Sequence, residues 1–133
     1  MTGSFADTFY FLALLNTDDP AHVRASEFAD AYRGAIITTA WVLLEVADAM
    51  SHPLNRRLVV DFLGELRVAP RTTILSFSDE LAAEGLRLFA DRPDKYWSLT
   101  DCVSFVVMQR EGITDALTGD HHFEQAGFRA LLA

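Results

Sequence analysis

The feature that most restricts the fold is a repeated switch in pattern: short β-branched or apolar segments alternate with stretches of helical length along the chain. Strands separated by helices build a parallel sheet, because each crossover returns the chain to the same end of the sheet. The first strand-like segment ends at Asp7, and Ala35–Thr38, Thr72–Ser76 and Ile113–Leu117 follow, with Phe128–Leu132 as a final strand or tail. Thr8–Leu15 has the density of a buried helix. Asp19 before Pro20 predicts an N-cap and first helical residue, opening a helix to about Arg33 that Gly34 closes. Thr38 or Thr39 caps a helix to about Met50, and Ser51-His52-Pro53 opens another to about Val68, with Ala69-Pro70-Arg71 as the break. Ser78-Asp79-Glu80 starts a helix ending near Ala90, with acids in its dipole-favoured first turn. Ser98 to Asp101 has capping-box spacing before an apolar helix stopped at Gly112, and His121–Gln125 forms one turn. The expected class is α/β, with helices on both faces of a parallel sheet.

A length of 133 residues suits a single domain over 1–133, and an apolar half with 11% aromatics excludes a disordered linker or tail. The longest apolar runs fall far short of the ~20 residues of a membrane span, and the N-terminus has no signal-peptide pattern, which predicts a cytoplasmic protein. The one cysteine, Cys102, forms no internal disulfide and no cysteine-rich zinc site, and its apolar stretch reads as core. Nineteen acids against eleven bases give a net charge of -8, which argues against nucleic-acid binding by blanket attraction to phosphates. The bases are all Arg except Lys95, and Arg56-Arg57, the only adjacent pair, is a candidate phosphate contact or else a solvated helix face.

In parallel sheets, ligands gather beyond the carboxyl ends of the strands. Four acids there or nearby sit in apolar surroundings: Asp7, Glu45, Asp101 and Asp120. A carboxylate so placed must be paired, hydrogen-bonded or bound to metal, and none has a base beside it in sequence. Clustered carboxylates with no Cys and few His form a hard oxygen site that selects Mg²⁺ or Mn²⁺ over zinc, the ions that activate water in phosphodiester cleavage. Plainer readings stand beside this one. Asp7 and Asp120 have the position of helix N-caps, Asp101 that of a capping-box residue, and Asp48 competes with Glu45 as the inward acid of its helix. His121-His122 read as surface or packing residues ahead of metal ligands, Trp41 and Trp97 as core or loop anchors ahead of base-stacking rings, and Asp115 as an edge or solvent-facing residue.

Taken in order, Asp7-Thr8, Thr38-Thr39 to Glu45, Ser98-Leu99-Thr100-Asp101 and Thr118-Gly119-Asp120 resemble the PIN-domain ribonucleases. Lys95 to Cys102 and Ala116 to Phe128 look especially like the small VapC-like toxins of toxin-antitoxin modules. The resemblance implies a three-layer α/β/α fold, Mg²⁺ or Mn²⁺ held by Asp7, Glu45, Asp101 and Asp120, and endonucleolytic cleavage of RNA. It further implies a homodimer and an antitoxin partner whose C-terminal segment covers the site. A phosphoacceptor receiver would need an acidic pair after the first strand and a late lysine, and an aspartate-nucleophile phosphatase needs Asp-x-Asp, where this chain has Phe9. The remaining alternatives are a non-catalytic PIN-like binding module and a solitary housekeeping RNA-processing nuclease.

Overall fold

The computed structural model describes residues 3–133; Met1 and Thr2 lie outside them. In chain order the elements are β1 (Gly3–Ala6), α1 (Thr8–Leu15), α2 (His22–Ala31), β2 (Ala35–Thr39), α3 (Ala40–Ala49), α4 (Pro53–Arg67), β3 (Thr72–Leu75), α5 (Asp79–Asp91), α6 (Leu99–Glu111), β4 (Asp115–Leu117), α7 (His121–Gln125) and β5 (Arg129–Ala130). The strands form one sheet in the order β3-β2-β1-β4-β5, and every pairing is parallel. The predicted parallel α/β architecture is therefore present, with helices flanking a five-stranded sheet. Among the described residues, no helix is long and apolar enough to cross a membrane.

The central strand β1 carries Phe5 and Ala6, both without solvent exposure, as expected for a strand covered on both faces. It is tied to β2 by the ladder and by the buried Thr38 hydroxyl, which donates to the Ala6 carbonyl at 2.8 Å. Helix α6 is the most deeply embedded: Cys102, Val103, Phe105, Val107 and Met108 are all buried, so the lone thiol is core as expected. Burial pushes that thiol up to about 11, with the neighbouring Asp101 charge adding to the shift. Phe105 packs edge-on against Phe123 of α7 and Trp97, at centroid distances of 4.9 and 5.0 Å. Trp97 thus anchors the loop before α6, and Trp41 packs edge-on against Phe77.

Several boundaries differ from expectation for identifiable reasons. Asp19 and Pro20 lie in a turn before α2, which starts at His22. The Asp19 carboxylate accepts from Ala21 N at 2.8 Å and its carbonyl from His22 N at 2.9 Å, so the capping chemistry closes that turn instead. Helix α2 stops at Ala31, where Tyr32 turns extended and stacks on Phe28 at 4.7 Å. Gly34 is no left-handed cap, since among the described residues only Gly112 and Gly127 have positive φ. It makes room for Tyr32: a Cβ there would lie 2.4 Å from the phenol oxygen. Strand β4 begins at Asp115, because Ile113 N is bound to Met108 O in the turn that ends α6. Asp115 is only partly exposed and forms a two-pronged pair with Arg129 at 2.8 and 2.9 Å.

Helices α5 and α6 approach closely at Gly85, where a Cβ would meet Val103 Cγ2 at 2.4 Å and Val103 Cα at 3.3 Å. Gly64 on α4 has nothing within 4 Å of the same position. Gly85→Ala is therefore expected to destabilise by about 1–3 kcal/mol through overpacking, despite better helix propensity. Gly64→Ala should stabilise by up to about 1 kcal/mol. Urea midpoints of the two variants check both signs.

Candidate active site

Strands β1 and β4 are neighbours, yet the chain leaves β1 toward β2 and reaches β4 only from the far edge at β3. Such a reversal opens a crevice beyond the carboxyl ends of the adjacent strands. Asp7 follows β1 there, and Thr118 to Asp120 follow β4. The two segments are joined by Asp7 N to Leu117 O at 3.4 Å and by the buried Thr118 hydroxyl, which donates to Asp7 Oδ2 at 2.9 Å.

The other two acids come from helices. Thr39 caps α3 by accepting from Val42 N at 3.2 Å, which sets the helix phase so that Glu45, one and a half turns on, reaches Thr8. The Thr8 hydroxyl donates to Glu45 Oε1 at 2.6 Å, whereas Asp48 is exposed, so Glu45 is the inward acid. Asp101 sits in the predicted capping box: Ser98 Oγ accepts from Asp101 N at 3.0 Å, and Asp101 Oδ2 accepts from Ser98 N at 3.1 Å. Asp120 caps α7, its Oδ1 accepting from His122 N at 2.9 Å, while its own amide donates to Thr118 Oγ1 at 3.0 Å. Asp7 stands at the cap position of α1 but its side chain makes no capping bond. All four acids line one open cleft of about 440 Å³, with Thr8, Phe9, Tyr96, Ser98 and His122. A larger cavity of about 660 Å³ lies among α3, α4 and β3, but no acid or histidine lines it, so the acid-lined cleft is the candidate for chemistry.

His122, which sequence reasoning ranked as a surface or packing residue, lines the cleft. Its Nδ1 lies 3.1 Å from Asp101 Oδ2 and 3.4 Å from Asp120 Oδ1, bridging the two helix caps. An ionised carboxylate only accepts, so Nδ1 carries the hydrogen. His121, next to it, is exposed and reaches Asp120 only at 3.7 Å. Candidate ligand atoms of Asp120, His121 and His122 lie within 4.8 Å of one another. Adjacent histidines carry no local signal of which points inward; the cap at Asp120 fixes that.

Among the described residues, no Arg or Lys pairs with any of the four acids; the arginines pair with Asp61, Glu80, Glu84, Asp94 and Asp115 instead. Arg56 and Arg57 lie exposed at the start of α4 and do not line the cleft. Arg56 Nε donates to Ser51 O at 2.8 Å, and Arg57 faces Asp61 at 3.6 Å. Burial pushes the Asp7 carboxyl up to about 7, opposed by the Thr118 hydroxyl and reinforced by the Asp101 and Asp120 charges. Asp101 is also raised by burial, offset by the Ser98 amide and raised further by Asp120.

The PIN-domain model matches residues 4–129. The chain belongs to the PIN-domain family. It is 25% identical over 124 residues to the 23S rRNA-specific endonuclease VapC20 of Mycobacterium tuberculosis, covering 93% of this chain and 94% of that one. The crystal structure of that VapC20, described as a sarcin-ricin loop cleaving toxin, superposes with a TM-score of 0.88 at 23% identity over 98% of both chains. FitAcB from Neisseria gonorrhoeae matches at TM-score 0.68 and 18% identity, covering 97% of this chain and 96% of that one. VapBC2 from Rickettsia felis, bound to a DNA fragment from its promoter, matches at 0.64 and 16%, covering 94% and 93%.

The donor set fits a divalent cation. The hydrogen bonds described above engage one oxygen of each acid, Oδ2 of Asp7, Oε1 of Glu45, Oδ2 of Asp101 and Oδ1 of Asp120, which leaves the second for a ligand. Carboxylate oxygens are the hard donors that Mg²⁺ and Mn²⁺ take, and the imidazoles of His121 and His122 stand beside Asp120.

Without metal, Asp7 holds its proton more tightly folded, at about 7, than at its ordinary value of 3.8. Its contribution to stability is fully present below about 3.8 and is lost as pH rises through about 7, on the order of 4 kcal/mol in all. Melting midpoints in EDTA should therefore fall from pH 5 to pH 8. Asp7→Asn should flatten that fall, and excess Mn²⁺ should raise the wild-type midpoint at pH 8. A wild-type midpoint indifferent to both pH and Mn²⁺ would count against a desolvated, metal-binding carboxylate.

Proposed function

We propose that this chain is a divalent-metal-dependent endoribonuclease, the toxin of a toxin-antitoxin pair, acting in the cytoplasm as a homodimer restrained by a protein antitoxin. The observation that carries the reading is the convergence of Asp7, Glu45, Asp101 and Asp120 on one cleft with no Arg or Lys paired to them among the described residues. An array of acids that opposes its own ionisation is a poor structural device and a good cation site. The likeness to VapC20 supports ribosomal RNA as the first substrate to try, and the VapBC2 neighbour supports an antitoxin partner.

In this reading Asp7, Glu45, Asp101 and Asp120 hold Mg²⁺ or Mn²⁺. The bound cation supplies Lewis-acid stabilisation of the charge that builds on a phosphodiester and lowers the cost of ionising water. The protein's own share is positional. Thr118 fixes Asp7, Thr8 fixes Glu45, and the two helix caps and His122 fix Asp101 and Asp120. Arg56 and Arg57 contact phosphates flanking the cleft.

Asp7→Asn, Asp101→Asn, Asp120→Asn and Glu45→Gln each keep shape while removing charge, and each is expected to lower cleavage of a 23S rRNA stem-loop by at least about 100-fold with the fold intact. Asp48→Asn, on the exposed side of α3, should cut at the wild-type rate. A wild-type rate in any of the first four would remove that residue from the metal set.

Replacing Arg56 and Arg57 with Ala should weaken RNA binding measured with Ca²⁺ in place of Mg²⁺. The slope of log affinity against log salt should also flatten by about one for each phosphate that the arginines neutralise. An unchanged slope would return the pair to solvent.

A further inference from the structure

Tyr96 is 94% exposed, the most exposed large apolar or aromatic side chain among the described residues, and it lines the acid cleft beside Asp7 and Asp101. Its own backbone segment is held firmly. Trp97, the next residue, is 6% exposed, donates its indole N–H to Gln125 Oε1 at 3.0 Å and packs edge-on against Phe105 at 5.0 Å. Arg92 lies over the Trp97 ring at 5.0 Å and grips Asp94 with two bonds of 3.0 Å, while Lys95 N closes the turn onto Arg92 O at 3.2 Å. On the other side, Ser98 is locked into the capping box with Asp101. A ring presented to water by a pinned loop gains nothing for the fold. Stability would favour a polar residue there.

We propose that Tyr96 is a stacking platform for a nucleobase next to the scissile phosphate, held at a fixed offset from the carboxylates by the Arg92–Ser98 loop. The proposal rests on the ribonuclease reading and gives its site a means of holding substrate. A chain of net charge -8 with a cleft walled by acids attracts phosphate weakly without bound cations. Base stacking on an aromatic face is not screened by salt, accepts any base and needs no positive charge. The two binding terms therefore separate: the arginines and cations set the salt dependence, and the ring adds a salt-independent increment.

The test uses the full-length protein, a fluorescently labelled single-strand-loop RNA and Ca²⁺, with anisotropy titrations at several salt concentrations for wild type, Tyr96→Ala and Tyr96→Phe. Tyr96→Ala should weaken binding about 10-fold or more with an unchanged salt slope, and Tyr96→Phe should stay within about two-fold of wild type. The side chain is exposed, so the melting midpoints should coincide. Tyr96→Ala binding like wild type, while wild type binds and cuts, overturns the platform and leaves the nuclease intact. Equal weakening in Tyr96→Phe overturns it too, by assigning the effect to the hydroxyl. So does a Tyr96→Ala that binds RNA normally but no longer holds a co-expressed antitoxin, which makes the ring a protein contact. Wild type that neither binds nor cuts RNA with any divalent ion overturns the ribonuclease reading and the platform together.

Discussion

Asp7 ends the central strand with its carboxylate almost wholly out of water and with Asp101 and Asp120 bearing on it. Ionising an acid in such a place loses hydration that protein hydrogen bonds only partly replace. The Thr118 hydroxyl works against that loss, yet burial still holds the carboxyl well above its ordinary range, at about 7. Much of the surrounding architecture arranges this tension. The parallel pairing of β1 with β4 brings Asp7 to Thr118, and α6 and α7 each begin by aiming an acid at the same cleft. Ten arginines are available in the chain, and none pairs with these acids among the described residues. The ion-paired arginines among the described residues meet other acids, so the carboxylates of the cleft face one another with no Arg or Lys between them.

The sheet is legible because its inner strands are short apolar runs between helices, a pattern that favours a parallel sheet. Helix edges were less so. Asp19-Pro20 carries the same local signal whether it caps a helix or a turn; in the fold Asp19 closes the turn and His22 Nδ1 reaches Ala13 O, 2.7 Å away on α1, a long-range contact that the local signal does not contain. Gly34 looks like a helix terminator in sequence, but its requirement is space for a ring, which no local rule encodes.

Within the cleft, the acids were visible because a charge among apolar neighbours is conspicuous. The choice between Glu45 and Asp48 was not, since it depends on the Thr8 hydroxyl arriving from α1. The inward place of His122 was hidden for a related reason. Its neighbour His121 has the same side chain and nearly the same local sequence, and their difference is one of helix phase. Arg56 and Arg57 are distinctive in the sequence by adjacency alone, and they stand outside the cleft.

Capping and ligand binding are usually set against each other when an acid is found at a helix start. Here the geometry makes them compatible. Asp101 gives Oδ2 to the Ser98 amide and Asp120 gives Oδ1 to the His122 amide, so a backbone contact fixes the rotamer of each. Once one oxygen is committed, the other points in a direction set by the helix and not by a floppy side chain. A helix start also supplies a partial positive charge that favours the ionised form. For Asp101 the hydrogen bond from the Ser98 amide offsets part of the burial that raises it. The cap thus fixes the free oxygen of each acid as a ligand would need on the proposed reading, and it orients a cluster of like charges with no Arg or Lys paired to them among the described residues.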